Sequence, residues 1–431
     1  MSPRFLKVVV SRNANSTRVK LGAVCNLITD GKHGDCQDQD GSGYYFLSAK
    51  DVRDGKLHYS DARQITEEDF LDTHKRTRLE PYDILISNSG TIGRIAIAPD
   101  HELTRRTTFQ KSVAILKLKQ DQVRPYWFYY YLHFIKERLV NIAGGTAQKN
   151  LLLRDLRDFE IELSPISTQE RIASILSAYD DLIDNNTRRI KLLEEMAQGV
   201  YREWFVEFRA PGVELRKASP EEQKLTGRDV FPKGWEVPRL GEIAEEKRRG
   251  VNPSEIDQDT PYFGLEHLPR KSIALSDWGF AGEVKSTKLA FKKKEILFGK
   301  IRPYFHKVGV APLDGVCSSD TIVIVPKKEE FFGVVLGCVS SEAFVNHATQ
   351  TSQGTKMPRA NWDVLVKYPV VKPDKRALAG FNQLIGNIVD LVINNILRNR
   401  NLRRTRDLLL PKLISGEVEV EKLDIETKGG L

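Results

Sequence analysis

Ile172-Ala-Ser-Ile-Leu-Ser-Ala-Tyr-Asp-Asp-Leu-Ile-Asp-Asn-Asn186 and, 209 residues further on, Phe381-Asn-Gln-Leu-Ile-Gly-Asn-Ile-Val-Asp-Leu-Val-Ile-Asn-Asn395 repeat one pattern. In the first copy, large residues recur at Ile172, Ile175, Tyr179, Leu182, Asn186, Arg189, Leu193, Met196, Val200 and Trp204. In the second they recur at Phe381, Leu384, Ile388, Leu391, Asn395, Arg398, Leu402, Thr405, Leu409 and Leu413. Steps alternating between three and four predict a coiled-coil seam. The matched positions include a polar Asn at the same step, Asn186 and Asn395, of the kind that fixes register at some cost in stability. Pairing the two helices with each other would bury both stripes. A seam from Ile172 to Trp204 would be about 50 Å long at 1.5 Å per residue, which suits a spacer of defined length.

Working outward, the repeat extends to what precedes each helix. Val19-Lys-Leu-Gly-Ala-Val is answered by Pro238-Arg-Leu-Gly-Glu-Ile. Tyr82-Asp-Ile-Leu-Ile-Ser is mirrored by Lys294-Glu-Ile-Leu-Phe-Gly, and Gly145-Thr146 by Gly354-Thr355. Short β-branched runs, Val113–Leu118 and Ile322–Val325, predict strands. One helix is expected within each unit, at about Tyr126–Ile142 and Glu330–Ala348. The fold class expected is α+β: two mixed strand/helix domains joined by two long helices that form an antiparallel coiled coil, with a pseudo-two-fold internal repeat. The boundaries are 1–160 for the first domain, 166–206 for the first helix and 207–236 for a connector. The second domain is 237–371, the second helix 374–415 and the tail 416–431. The connector's turn and charged residues predict an exposed segment.

The chain has 431 residues, more than one ordinary core accommodates. Its net charge of +8 favours a polyanionic partner. Four cysteines (Cys25, Cys36, Cys317, Cys338) form no C-x-x-C pair and no disulfide framework, so a reducing cytoplasm is the expected compartment. His33 and Cys36 lack a second pair to complete a zinc site, and no metal is expected. No apolar run is long enough to span a bilayer, so no membrane partner is expected.

Several segments carry a resemblance to a known family. They are Leu-Glu-Glu-Met-Ala-Gln at 193–198, Tyr201-Arg-Glu-Trp-Phe-Val-Glu-Phe208, Lys233-Gly-Trp-Glu-Val and Arg406-Asp-Leu-Leu-Leu-Pro-Lys-Leu-Ile-Ser-Gly-Glu-Val418, with Asp30-Gly-Lys-His-Gly34 upstream. Over about nine-tenths of its length the chain resembles the specificity subunit of a Type I restriction–modification enzyme. The resemblance implies two target-recognition domains, each reading half of a bipartite double-stranded DNA sequence. It also implies long helices that act as a ruler and dock two modification (methyltransferase) subunits, which restriction subunits join. S-adenosylmethionine, ATP and Mg are then expected on those partners, with no cofactor in this chain. The second domain departs from the first in lacking the Asp-Gly-x-His-Gly and Ser-Gly-Thr-Ile-Gly runs.

Reading DNA requires cations for phosphates and bidentate polar groups for base edges. In the first domain the candidates are Lys32 and His33, then Asn88, Ser89, Thr91 and Arg94. Thr146, Gln148, Lys149 and Asn150 form a third loop, with Gln148 or Asn150 able to contact adenine. Arg105, Arg106 and Lys111 are expected at phosphates. The second domain offers Lys300, Arg302, Tyr304, His306 and Lys307, then Ser318 and Ser319, then Thr355 and Lys356.

No catalytic residue is expected. The chain has no Pro-Pro dipeptide for an adenine methyltransferase motif, and none of its Gly-Lys pairs completes a phosphate loop. Two other readings remain open: a self-contained methyltransferase or nuclease, and a coiled-coil scaffold without specific DNA contact.

Overall fold

The computed structural model describes residues 16–144 and 150–423. They form two units, one built from residues up to Asp181 together with those from Arg403 onward, the other from Leu182 to Leu402.

The first unit is organised around an antiparallel sheet of four strands in the order Cys25–Asp30, Val113–Leu118, Ile84–Ser87, Ile95–Ile97. Its two inner strands, Val113–Leu118 and Ile84–Ser87, are aliphatic at nearly every position because both faces are covered. Ile84, Ile86, Ala114 and Leu116 face a core with Trp127, Phe128 and Tyr131. Leu85, Val113 and Ile115 point the other way, onto Leu47, Val52 and Phe109, as the period of two requires. A smaller sheet places Tyr45–Leu47 between Arg63–Gln64 and, in parallel, Thr107–Phe109. The single helix expected near Tyr126–Ile142 is two, Pro125–Phe134 and Lys136–Asn141, broken where Ile135 leaves helical geometry.

The second unit repeats the four-stranded topology with Ala244–Glu246, Thr321–Pro326, Ile296–Gly299 and Val308–Val310. Its expected helix is likewise divided, into Phe332–Val339 and Glu342–Gln350. Ser341 turns extended there and its Oγ accepts from Phe344 N, a cap that starts the second helix. The segment 207–236 is more ordered than an exposed connector. It carries a hairpin, Leu215–Lys217 with Val230–Pro232, and a capped helix, Pro220–Thr226. Phe208, Phe231 and Trp235 are buried, with Phe208 edge-on to Phe231 at 5.4 Å. Those aromatics anchor both ends of the segment in the core of the second unit.

The long helices run Ile166–Tyr201 and Lys375–Ser415. Within the second unit they are antiparallel: Asn186 Nδ2 donates to Asn399 Oδ1 at 2.9 Å, while Trp204 and Phe205 pack on Phe381. Within the first, Arg406 pairs with Asp180, and Ile172 and Leu176 share a core with Leu413 and Ile414. The buried stripe differs in phase from the expected seam. Leu182, Leu384 and Leu391 are exposed, and their neighbours Ile183, Ile385 and Val392 are buried instead. A helix of 3.6 residues per turn drifts about 20° per heptad from a strict 3.5 repeat. Both helices also pack on the sheet domains, which widens the stripe. The 209-residue repeat nonetheless holds in the corrected phase, through Ile172/Phe381, Leu176/Ile385, Ile183/Val392 and Asn186/Asn395, all buried. Among the described residues no single helix is long and apolar enough to cross a membrane.

Candidate nucleic-acid interface

At one end of each sheet, backbone pairing knits the candidate loops together in the same way twice. In the first unit Asn88 N donates to Ser112 O at 3.0 Å, and Asn88 O accepts from Leu151 N at 2.8 Å. Asn150 exchanges backbone bonds with Gly144 and bridges to Ser89. In the second, Lys300 N donates to Asp320 O at 3.0 Å and Lys300 O accepts from Ala360 N at 2.9 Å. Arg359 pairs with Gln353 and bridges to Ile301. The sheet ends thus fix the backbone of each loop, leaving the side chains between them free to differ.

The Asp30–Gly34 turn of the first unit is held by its own charges. Lys32 Nζ lies 2.6 Å from Asp69 on the helix Glu67–Thr77, and that hydrogen bond raises the ammonium pKa and lowers the carboxyl's. His33 Nε2 lies 2.9 Å from Asp30, which also faces Arg76 at 3.6 Å. Gly31 is required by packing, since a Cβ there would stand 2.0 Å from Phe109 O. Lys32 therefore braces the turn and is not a free cation. Asn88 is buried, and its Oδ1 has no hydrogen-bond partner among the described residues. Arg94 donates to Ala49 O at 3.0 Å. Thr91, Lys111 and Asn150 are exposed, as are Arg105 and Arg106, which pair with Asp100 and Glu102. Thr146, Gln148 and Lys149 lie outside the described residues.

In the second unit the three candidate loops come together. Lys300 Nζ donates to Ser319 O at 2.6 Å, and Ser318 Oγ accepts from Asp320 N at 3.2 Å. Arg302 donates to Pro358 O through its backbone and to Lys356 O through its guanidinium. Lys307 donates to Leu265 O, and burial pulls its ammonium below the ordinary value. His306 contacts Ser340 O at 2.8 Å. Lys307, His306 and Ser318 thus serve as braces, and Ser319 supplies the carbonyl that holds Lys300. Tyr304, Thr355 and Lys356 are exposed. Arg359, Met357 and Arg270, which are not among the candidates named from sequence, are also exposed at this edge. The 209-residue offset from Asn150 points directly at Arg359.

A duplicated α+β unit, each copy closing its sheet end with a basic loop cluster and leading into a long helix, defines an internally repeated two-module protein. Residues 13–195 match the family model described as the Type I restriction modification DNA specificity domain. The chain is similar to Type I restriction–modification specificity subunits. It is 28% identical over 354 residues to the Type I restriction enzyme MjaIX specificity subunit of Methanocaldococcus jannaschii, covering 79% of this chain and 78% of that protein. To the EcoDI specificity subunit of Escherichia coli it is 22% identical over 322 residues, covering 69% and 71%. The crystal structure of a Type-I restriction-modification system S subunit from M. genitalium shares its fold, with a TM-score of 0.58 and 16% identity over 95% of this chain and 98% of that one.

Proposed function

We propose that this chain reads DNA for a Type I restriction–modification complex, each unit reading one half of a bipartite duplex target. The observation that carries the reading is the duplicated frame. Matched backbone bridges present Ser89 and Asn150 in one unit and Ile301 and Arg359 in the other. A fixed scaffold with unlike side chains suits two different half-sites. Exposed Lys and Arg at both loop ends supply phosphate contacts, and amides and hydroxyls supply base-edge contacts. In this reading the chain itself performs no chemistry. It docks two modification subunits, joined by restriction subunits, which bring S-adenosylmethionine, ATP and Mg.

The test is selection from a randomised duplex library by the full chain assembled with its modification subunits. Replacing residues 16–160 with the equivalent segment of a relative should rewrite one half-site, and replacing 237–371 the other. A swap that rewrites both halves contradicts independent reading. Methyl transfer or ATP hydrolysis by the purified chain alone contradicts the non-catalytic assignment.

A further inference from the structure

The turn Arg302–Lys307 is built unlike its surroundings. Arg302 (φ 50°, ψ 62°) and His306 (φ 51°, ψ 55°) are both left-handed, a conformation that non-glycine residues rarely adopt, and between them lies a single turn of 3-10 helix, Pro303–Phe305. Several bonds over-determine the shape. His306 N donates to Pro303 O at 2.8 Å, Lys271 N to His306 O at 2.9 Å and Arg302 N to Pro358 O at 2.7 Å. Beneath the tip, Phe305 is flanked by two guanidiniums, Arg270 at 4.2 Å and Arg302 at 5.9 Å from its ring centre. Tyr304 stands edge-on to Phe305 at 4.8 Å and is 50% exposed. On the adjoining loop, tied to this turn through Lys356 and Pro358, Met357 is 51% exposed.

Two large apolar side chains are thus held out on rigid supports, with Lys300, Lys356 and Arg359 on the same loops and Arg270 stacked on Phe305 from a neighbouring segment. The carboxylate at this edge, Asp320, faces Lys300 at 3.9 Å and Arg359 at 3.7 Å. Two side chains make too small a patch for a stable protein interface. They do match the gap opened at one base step, where an apolar wedge enters while cations hold the flanking phosphates.

We infer that Tyr304 and Met357 form a wedge that unstacks one base step in the half-site read by the second unit. This rests on the DNA-reading assignment and adds a mode of recognition to it. The wedge selects for ease of deformation, which favours the flexible pyrimidine–purine steps TA and CA/TG at a position that no hydrogen bond need read. In the first unit the matched turn is Ser89-Gly90-Thr91-Ile92-Gly93, with positive φ at Gly90 and Gly93 and no exposed aromatic. Only one half-site should therefore be deformed in this way.

The test is permanganate oxidation, which attacks unstacked thymines, on duplexes recovered from a randomised library by the full chain with its modification subunits. The expected result is one step of enhanced thymine reactivity in one half-site. Tyr304→Phe should keep it. The double variant Tyr304→Ser, Met357→Ser should lose it, returning to the free-duplex level while the site stays protected from nuclease. A recovered, protected site without enhanced reactivity overturns the wedge alone, as does enhancement that survives the double substitution. Failure to recover any preferred duplex overturns the DNA-reading assignment together with the wedge.

Discussion

Replacing Asn399 by leucine should destabilise the second unit, and adding Asn186→Leu should restore it. Asn399 makes three hydrogen bonds inside the helix pair. Its Oδ1 accepts from Asn186 at 2.9 Å, and its Nδ2 donates to Ile183 O at 3.3 Å and Thr187 Oγ1 at 3.2 Å. At about 1 kcal/mol net each, these bonds contribute about 3 kcal/mol. Burying a leucine in their place recovers about 1–1.5 kcal/mol. The single variant therefore costs about 2 kcal/mol, much of it because the buried amide of Asn186 is left without its acceptor. In the double variant no orphan remains, and two apolar side chains replace the polar pair, which is often neutral or stabilising. The coupling should thus be about 2 kcal/mol and opposite in sign to the single loss. Because a chain of two units need not unfold in one step, native-state hydrogen exchange at residues 183–190 and 395–402 is the suitable assay. A double variant that costs the sum of the two singles would refute the argument.

Gly31→Ala should lower the melting temperature of the first unit, since its Cβ would overlap Phe109 O at 2.0 Å; a cost of about 3 kcal/mol is expected from overpacking, and an unchanged melt would contradict it. Burial holds the His133 imidazole at about 4 instead of 6.5, so the unfolded chain binds its proton first as pH falls. First-unit stability should then be complete above about pH 6.5 and decline by up to about 3 kcal/mol towards pH 4, and His133→Phe should flatten that slope in acid titration of the melt. Neutralising Lys356 and Arg359 together should reduce the log–log salt slope of DNA binding by about 2. Lys32→Gln, at a cation already paired with Asp69, should lower stability and leave that slope unchanged.

The strands and the duplication were legible because short, continuous apolar runs recur in matching order, Ile84–Ser87 answered by Ile296–Gly299. The phase of the helical stripe was not, because Leu182 and Ile183 are both apolar, as are Leu384 with Ile385 and Leu391 with Val392. A strict 3.5 template picks the first of each pair, and the packed helix buries the second. The break at Ile135 has no Pro or Gly beside it to announce it, whereas Ser341 followed by Glu342 was a readable cap. In the connector, Phe208, Phe231 and Trp235 were in plain view but were outweighed by its turns and charges. At the candidate interface, the loops were chosen from charge and glycine. Which cations are already paired depends on partners such as Asp69, 37 residues from Lys32, and no local pattern discloses that.

The first unit draws residues from both sides of the second, taking the chain up to Asp181 and again from Arg403. A ribosome making this protein therefore finishes the second unit before the first. Ile172 and Leu176 are exported early, yet their cover, Leu409, Leu413, Ile414 and Val420, follows only after more than 200 further residues. At about 5–20 residues per second that interval is roughly 10–45 seconds. Throughout it the nascent chain carries an unsealed greasy seam, a natural address for holdase chaperones and a point where translation speed governs yield.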